Sequence, residues 1–355
     1  MASAPLTTSS NIPGPVNVVF QQTLLRNAKM RCEYFVGSVP AEIAEHRGSF
    51  TAKWRRIENL SATTTPLAEL TGNIAFPTRT SVQPTVTDYT ATVQKYGNFI
   101  LLTEEADLIN FNEYADKLME IMGINSGQSL NQLQRNVTEG NSTLLYASGF
   151  TADNQVTNVL LSAQMRNATN QLANNNALRF NAYTEGEDAF GTSPIPSSLW
   201  GICHVDVEED VRNMTDFIPV ERYASQTEVM IGEFGMNSTA RIRWVSSSEA
   251  SISAGSGGST TAIRNTGGSA NLYTSLVFGM EAVGSVGLDF AHIKEAYMAG
   301  DTLPGVQAIA HERGSAGTGD PLNEVSSIGW KSWHAGKILN PLWIYGLRSG
   351  ASILQ

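Results

Sequence analysis

Cysteine and charged residues are both scarce in this sequence. Its 355 residues include only two cysteines, Cys32 and Cys203, and charged residues make up 16% of the chain. Two cysteines cannot build the disulfide framework of a small secreted fold, so a reducing cytoplasm is the simpler expectation. Soluble proteins usually carry roughly 25% charged residues, and a lower fraction leaves less surface that must stay hydrated. This balance favours extensive burial between copies of the chain, although a β-rich secreted protein would show it too.

A basic excess is also missing. The formal net charge is −10, which disfavours a protein that holds nucleic acid by neutralising phosphates. Any contact with DNA should therefore be loose or local. The two clearest basic clusters, which we interpret as solvated surface or subunit contacts, are Arg26, Lys29 and Arg31, and Lys53, Arg55 and Arg56.

Long apolar runs are absent as well. None approaches the roughly 20 residues that a helix needs to cross a bilayer, so we expect no membrane partner. The first residues, MASAPLTTSSNIPGP, lack a basic start and an apolar stretch, which argues against a signal peptide. Residues 1–17 are small and polar and contain three prolines, which is typical of an extended arm. Residues 18–35 are predicted to form a short helix.

The motifs that mark common catalytic and cofactor sites are missing. The sequence has no phosphate-binding P-loop, no dinucleotide-binding glycine motif, no nucleophile elbow, no HExxH and no CxxC. The strongest remaining candidate is CHVDVEEDVRN, in which His204 and Asp206 with Glu208, Glu209 and Asp210 would bind a divalent ion. We favour a structural alternative, in which Asp206 caps a helix and Glu209 completes a capping box. We therefore predict no catalytic, cofactor-binding or metal-binding residue and no enzyme activity.

Three other stretches have a functional and a structural interpretation, and the structural one is favoured in each. His311 and Arg313 would offer acid–base groups, or would mark a salt-linked strand end. The glycine-rich loop at 253–258 has no lysine to meet a phosphate, so we predict a linker-like loop. The aromatic set near the end of the chain is interpreted as core or interface packing rather than a sugar-binding platform; it consists of Trp330, Trp333, His334 and Trp343.

Two stretches with period-two alternation predict a long β-hairpin. In SFTAKWRRIENL, residues 49–60, Phe50, Ala52 and Trp54 alternate with polar residues. The second strand is expected within VQPTVTDYTATVQKYGNFILL, residues 82–102. A two-stranded ribbon is only marginally stable alone in water, so one this long should lie on another part of the structure.

The residues after the hairpin predict a long amphipathic helix, which we call the spine helix. Apolar residues recur every three or four positions and so line one helix face; they are Phe111, Tyr114, Leu118, Ile121, Met122, Leu130, Leu133 and Val137. A helix over 111–138 would be roughly 40 Å long at about 1.5 Å per residue. Asn110 and Glu113 resemble a capping box at its start. Gly123 and Gly127 predict a bend or a close approach by a neighbouring backbone.

The rest of the chain is predicted to mix short strands and helices. A helix is expected over 156–172, and a glycine- and proline-containing boundary over 185–198. Composition predicts a flexible surface loop over 251–270. IKEAYMAG and VQAIAHERG are expected as strands, and the stretch from residue 320 is expected to be helical at its start. The fold class that results is α+β.

Five of these stretches resemble the major capsid proteins of tailed bacteriophages. They are TTPLAEL (64–70), VQKYGNFILLTEEADL (93–108), DVRNMTDFIPVERYAS (210–225), YTSLVFGMEAVG (273–284) and DPLNEVSSIGWKSWHAGKILN (320–340). The group that they resemble most is the N-four-type phage capsid protein family, and the resemblance extends in order over about residues 45–347. One departure is TTPLAELTGN, where that family places a Glu-Gly pair after the leucine.

The resemblance implies a Hong Kong 97-type phage major capsid fold with four parts. These would be an N-terminal arm at 1–45, an extended β-hairpin loop at 46–102, a peripheral domain with the spine helix at 103–185, and an axial α/β domain at 186–350. The chain would return to the peripheral domain near its C-terminus.

The function implied is that of a structural major capsid protein that self-assembles, as pentamers and hexamers, into the icosahedral head of the virion around double-stranded DNA. Expected partners are other copies of the chain, a portal protein, and scaffolding or decoration proteins, with only loose contact to packaged DNA. Assembly would take place in the bacterial host cytoplasm. The alternatives are a nanocompartment shell protein of the same fold and, from a different class, a metal-dependent hydrolase using His204 and Asp206.

Overall fold

The computed structural model describes residues 32–35, 37–44, 50–58, 83–109, 114–180, 197–223, 232–289, 306–311, 313–315 and 320–353, together with Leu60, Ala62 and Thr64. The helices in this part are α1 (Glu104–Ile109), α2 (Tyr114–Asn141), α3 (Ser162–Asn174) and α4 (Val205–Arg212). Its strands are β1 (Val39–Ala44), β2 (Thr51–Ile57), β3 (Val86–Thr92), β4 (Gln94–Thr103), β5 (Thr143–Tyr146), β6 (Leu199–His204), β7 (Phe217–Pro219), β8 (Glu233–Asn237), β9 (Ile242–Ser247), β10 (Ile252–Ser253), β11 (Asn265–Thr266), β12 (Ser269–Ala270), β13 (Leu272–Phe278), β14 (Val283–Asp289), β15 (Val306–His311), β16 (Val325–Ile338) and β17 (Ile344–Ser349).

A five-stranded sheet, which we call the first sheet, is built around β16. The long strand β16 pairs antiparallel with β4 along its first ten residues, with β15 over residues 327–332 and with β14 along its last four, while β1 runs parallel to β14. One face of this sheet packs against α2, because alternate residues of β4 and β16 are apolar. The buried residues of this layer include Leu102, Leu118, Met119, Met122, Leu130, Ile328 and Trp330.

Helix α2 is the predicted spine helix, and it is continuous over 28 residues, or about 42 Å. Leu118, Met122 and Leu130 are buried as predicted, whereas Ile121 is 56% exposed. The helix ends at Asn141, three residues beyond the predicted end. Its expected capping box lies in residues 110–113, outside the described residues.

The glycines of the spine helix do not interrupt it. The Cys32 thiol lies 4.0 Å from the carbonyl oxygen of Gly127, which is a side-chain contact, so the close approach by a neighbouring backbone stays a prediction. Beside it, Tyr34 donates its backbone N–H to Asn131 of the helix at 2.9 Å. The Tyr34 hydroxyl donates to Glu139 at 2.6 Å, and burial raises the pKa of both side chains. The start of the described chain is thus fixed to the spine helix.

The second sheet has eight strands, in the order β5, β17, β13, β6, β9, β8 and β7, with β10 paired to β13. Helices α3 and α4 cover one face, where Met165, Leu172 and Val207 join the core around Trp244. The opposite face packs against the end of the first sheet, through residues such as Trp200 and Ile338. Because both faces are covered, even the charged residue of β9 is buried: Arg243 is 3% exposed.

Three sequence predictions in this half of the chain are wrong. The helix expected from residue 156 begins at Ser162, because residues before it bridge to Gly350 and cover the second sheet instead. The segment expected as a flexible loop over 251–270 contains β10, β11 and β12 and buries Ile263 and Ala270. The stretch from residue 320, expected to start as a helix, forms β16. VQAIAHERG contains β15, as predicted.

Several predictions cannot be compared with the structure. The arm at 1–17 and most of the expected helix at 18–35 lie outside the described residues, although Glu33–Phe35 form one 3₁₀ turn. The expected strand IKEAYMAG and most of the boundary at 185–198 also lie outside them. Within the described residues, no helix combines the length and hydrophobicity that crossing a membrane requires.

Candidate assembly surface

Strands β2 and β3 form the described part of the predicted hairpin, and we call this pair the ribbon. Seven antiparallel residue pairs run from Thr51–Thr92 to Ile57–Val86. The expected alternation is confirmed: Ala52 is buried and Trp54 half-buried, while Thr51 and Lys53 are exposed. The second strand ends at Thr92 rather than continuing to 102, because residues 94–103 form β4 and pair with β16.

The inner face of the ribbon is anchored on the first sheet. Ala52 and Val93 are buried against Val286 of β14. At the base, Phe50 stacks on Trp333 of β16, with ring centroids 5.4 Å apart and an angle of 12° between the rings. These contacts fix the direction in which the ribbon leaves the body, as a two-stranded element requires.

The basic cluster of the ribbon is paired within the ribbon itself. Asp88 accepts from Lys53 at 2.5 Å and from Arg55 at 3.1 Å. Hydrogen bonds from those two side chains lower the Asp88 pKa. Arg56 pairs with Glu58 at 2.5 Å, and its hydrogen bond lowers the pKa of that carboxyl. The cluster is therefore a surface charge network, as we interpreted it from the sequence, and offers little free positive charge to phosphates.

The far end of the ribbon is apolar and exposed. Ile57 and Val86, which form its last described pair, are 65% and 47% exposed, and Leu60 just beyond is 55% exposed. Neighbouring exposed apolar side chains of this kind mark a site of protein contact. The described end of the ribbon is therefore a candidate contact surface.

A second exposed apolar area lies on the face of the first sheet opposite the spine helix, which we call the outer face. Phe99 and Leu101 of β4 are 67% and 59% exposed there. The alternate residues Ile100 and Leu102 pack toward the spine helix. The sequence contained the signal, since the FILL run is apolar on both sides of the strand, but sequence reasoning did not assign the outward side to a contact.

The acidic candidate site is a structural hydrogen-bond network. His204, and not Asp206, caps α4: its Nδ1 accepts the backbone N–H of Asp206 at 3.0 Å. The carboxylate of Asp206 accepts from the Tyr273 hydroxyl at 2.8 Å and pairs with Arg264 at 3.1 Å. Burial lowers the pKa of His204, which is consistent with Nδ1 acting as an acceptor. The capping prediction was thus wrong by two residues, because a histidine took the role expected of the aspartate.

The other acidic residues of this stretch point to different partners. Glu208 pairs with Arg212 at 2.7 Å, Glu209 accepts from Asn213 at 3.2 Å, and Asp210 accepts from the backbone and hydroxyl of Ser352. Among the described residues, no group of three or more His, Cys, Asp and Glu side chains could hold a metal ion.

Replacing Asp206 by Ala should reduce the free energy of unfolding by about 1–3 kcal/mol, because Tyr273 and Arg264 lose a partly buried acceptor. The measurement is thermal unfolding with and without added Zn²⁺ or EDTA. Neither addition should change the melting temperature of the wild-type chain. A zinc-dependent rise that disappears in Asp206→Ala, but not in the surface control Glu105→Ala on α1, would contradict the structural interpretation.

The remaining candidates also have structural partners. Arg313 pairs with Glu104 at 3.5 Å, and His311 ends β15 on the outer face. Trp330 donates to Asn125 of the spine helix at 3.0 Å, whereas Trp333 lies on the opposite side of β16, so the tryptophans form no common platform. Cys32 and Cys203 are both buried thiols.

The glycine-rich loop at 253–258 is tied down by its backbone amides. Gly255 donates to the Asn271 side chain, Gly257 to the carbonyl of Ala270, and Gly258 to the carbonyl of Val156, each at 2.9 Å. Amides that are already paired cannot cradle a phosphate. The loop is therefore a packed part of the second sheet.

Comparison with protein families identifies one family for this chain. The family described as "Phage capsid protein" matches residues 87–347, more than half of the chain. No curated protein matches the chain. Among solved structures, the capsid of Ralstonia phage GP4 is similar over 90% of this chain and 88% of that chain, with a TM-score of 0.62 and 10% identity. The capsid of cyanophage P-SCSP1u is similar over 89% and 87%, with a TM-score of 0.53 and 13% identity.

A third similar structure, the capsid of cyanophage Pam1, has a TM-score of 0.53 and 10% identity over 91% of this chain and 93% of that chain. At such identities these structures show the fold alone, and they confirm the expected α+β phage major capsid fold. The family match makes the protein a structural component of the virion and sets aside the metal-dependent hydrolase. The chain therefore belongs to the phage capsid protein family and is a non-enzymatic major capsid protein of an icosahedral head.

Proposed function

We propose that each copy joins the icosahedral head through appendages that bind neighbouring copies. The observation that carries this proposal is the exposed apolar end of the ribbon at Ile57, Val86 and Leu60, together with the exposed outer face at Phe99 and Leu101. A single copy leaves both areas in water, and burying apolar surface stabilises association by about 25 cal/mol per Å² before the costs of ordering. Several such contacts per copy, each weak, yield a stable closed particle.

The division of the chain follows from this role. We assign residues 1–45 to an arm, 46–102 to the hairpin loop, 103–185 to a peripheral domain and 186–350 to an axial domain, with the chain returning to the peripheral domain near its end. The pairing of β16 with β4 supports that return, since it brings residues 325–334 to the strand that precedes the spine helix. Pentamers and hexamers would be the closed units, which suits the closed symmetry of most assemblies.

We also propose the remaining partners. Double-stranded DNA would fill the head and touch its wall loosely, because the chain carries a net charge of −10 and the basic ribbon residues are paired with Asp88 and Glu58. A portal protein, with scaffolding or decoration proteins, would complete the particle, and assembly would occur in the cytoplasm of the bacterial host. Tight binding of duplex DNA to the purified protein at moderate salt would contradict the DNA part of the proposal.

Replacing residues 61–81 with a short Gly-Ser turn should give a folded subunit that forms no closed shells, because the ribbon can no longer reach a neighbour. Electron microscopy and sedimentation of the purified protein measure the outcome. The wild-type chain should form closed particles under the same conditions, and circular dichroism should show that the variant is folded.

A milder variant tests the described end of the ribbon. Ile57→Asp with Val86→Asp places two charges on the apolar end and should also prevent closure. The control is Ile252→Asp, which alters a side chain of similar exposure (46%) on the second sheet. Normal particles from both the loop replacement and the double Asp variant would refute the role that we give to the ribbon.

A further inference from the structure

The outer face of the first sheet carries apolar residues where a face in contact with water normally carries polar ones. A sheet with one face in water normally carries polar residues on that face. Here the strand pairing puts Phe99 of β4, Gly329 of β16 and Ile309 of β15 side by side, with Leu101 in the next row. No described element covers them. The face is therefore built for a partner.

The same face carries positive charge beside the apolar residues. Lys95 and Lys331 line a groove of about 650 Å³ together with Phe99, Leu101, Ile309 and His311. Neither lysine has an ion-pair partner among the described residues, although Lys95 lies 5.9 Å from the centre of the Trp333 ring. The groove thus suits an extended segment that has both acidic and apolar side chains, because such a segment would pair the lysines and cover the apolar floor.

One segment of the chain itself has this chemistry. Residues 181–196 (NAYTEGEDAFGTSPIP) contain three acidic residues, no lysine or arginine, and the apolar side chains Tyr183, Phe190 and Ile195. The other long segments outside the described residues differ: 1–31 has three basic residues and no acidic one, and both 65–82 and 290–305 contain a basic residue. Among these segments, 181–196 is therefore the one whose charge complements Lys95 and Lys331 of the groove.

The place where this segment joins the described structure allows it to project. Phe180 and Ser198 are bridged by two backbone hydrogen bonds, of 2.9 and 3.2 Å. The two described residues that flank the 16-residue segment 181–196 therefore lie close together. At about 3.3 Å per residue, such an excursion reaches up to roughly 25 Å from its base. That distance is enough to contact an adjacent molecule.

We propose that the outer face of one copy binds the acidic segment 181–196 of a second copy, with carboxylates of the segment paired to Lys95 and Lys331. This inference rests on the proposed self-assembly and names one surface and its occupant. The contact would orient the two copies and speed their association more than it would tighten their binding, as charged contacts at interfaces commonly do.

A charge swap tests the pairing. Variant A carries Lys95→Glu and Lys331→Glu, variant B carries Glu185→Lys, Glu187→Lys and Asp188→Lys, and variant C carries all five changes. Assembly is followed by light scattering and sedimentation at low and high salt. Variants A and B should each assemble at least about tenfold more slowly than the wild type at low salt, because like charges then face each other. Variant C should recover most of that loss.

Controls separate this contact from other effects of charge. Lys117→Glu with Arg166→Glu makes the same change in net charge at exposed positions on α2 and α3, and should not slow assembly in the same way. If variant A is slow while variant B is normal, another occupant, such as the hairpin loop of a neighbour, binds the groove and the proposal is overturned. Failure of variant C to recover, or normal assembly of variant A, also overturns it. Failure of the wild-type chain to assemble would instead overturn the proposed function.

Discussion

Replacing Glu233 by Ala should reduce the free energy of unfolding by roughly 3–5 kcal/mol, since it leaves a buried guanidinium without its counter-charge. The Glu233 side chain is fully buried and that of Arg243 is 4% exposed. Their two contacts, 2.8 Å from Nε to Oε1 and 2.5 Å from Nη2 to Oε2, form a bidentate pair, and Tyr223 donates to the same carboxylate at 2.8 Å. Chemical unfolding of the unassembled subunit, followed by circular dichroism, measures the loss.

A double replacement shows whether loss of the Glu233 counter-charge is the cause. Glu233→Leu with Arg243→Met removes both charges and should cost much less than the single change, as replacement of a buried pair by apolar residues often does. The exposed Asp88→Ala, which removes a surface ion pair of the ribbon, should change stability little. Equal losses in the single and double variants would show that packing, and not charge, holds β8 against β9.

Periodicity predicted the spine helix and the ribbon because each has one face in contact and one in solvent. In α2, Leu118, Met122 and Leu130 recur at helical spacing toward the first sheet, and this repeat outweighs the cost of Gly123 and Gly127. In the ribbon, Ala52 and Ala91 alternate with exposed threonines. An element with one buried and one exposed face has regularly spaced apolar residues, and this spacing predicts the element from the sequence.

The strands that the sequence did not reveal are covered on both faces or carry no simple period. In β9, Arg243 is as buried as Trp244 because it is paired with Glu233, so polarity does not identify its environment. In β16, the tryptophans at 330 and 333 are three positions apart, a helical spacing, yet they lie on opposite sides of a strand. Pairing with β4 and β15 determines that this segment is a strand, and such long-range pairing cannot be predicted from the periodicity of a single sequence.

The candidate surfaces were only partly predictable. The alternation of the ribbon indicated that it must lie on another element, and it places Ile57 and Val86 in the exposed register. Sequence reasoning did not assign these two apolar residues to a contact. The FILL run was apolar on both sides, and only the structure showed that the side with Phe99 and Leu101 is uncovered. The α4 helix is capped by the side chain of His204, which accepts the backbone N–H of Asp206. The general preference for Asp at N-caps does not predict this.

Lowering the pH from about 6.5 to 4 should remove about 3 kcal/mol of stability through His334. This residue is 2% exposed and packs edge-on against Phe35, with ring centroids 5.3 Å apart, beneath the spine helix. Burial lowers its pKa from 6.5 to about 4, and the backbone of Val286 opposes this only in part. The unfolded chain therefore binds the proton first, so stability is complete above pH 6.5, falls between 6.5 and 4, and loses nothing more through this group below 4.

The pH dependence of His334→Gln isolates this contribution, because glutamine is polar but does not titrate. The free energy of unfolding of the wild type should fall more steeply between pH 6.5 and 4 than that of the variant. Glu139, whose pKa is raised by burial, acts in the opposite direction, but it is present in both proteins and cancels in the difference. The matched control for the substitution itself is His311→Gln, at an exposed position at the end of β15. Equal slopes for wild type and His334→Gln would mean that the fold relaxes to hydrate the His334 imidazolium, and that the spine helix is not sealed against the first sheet at this point.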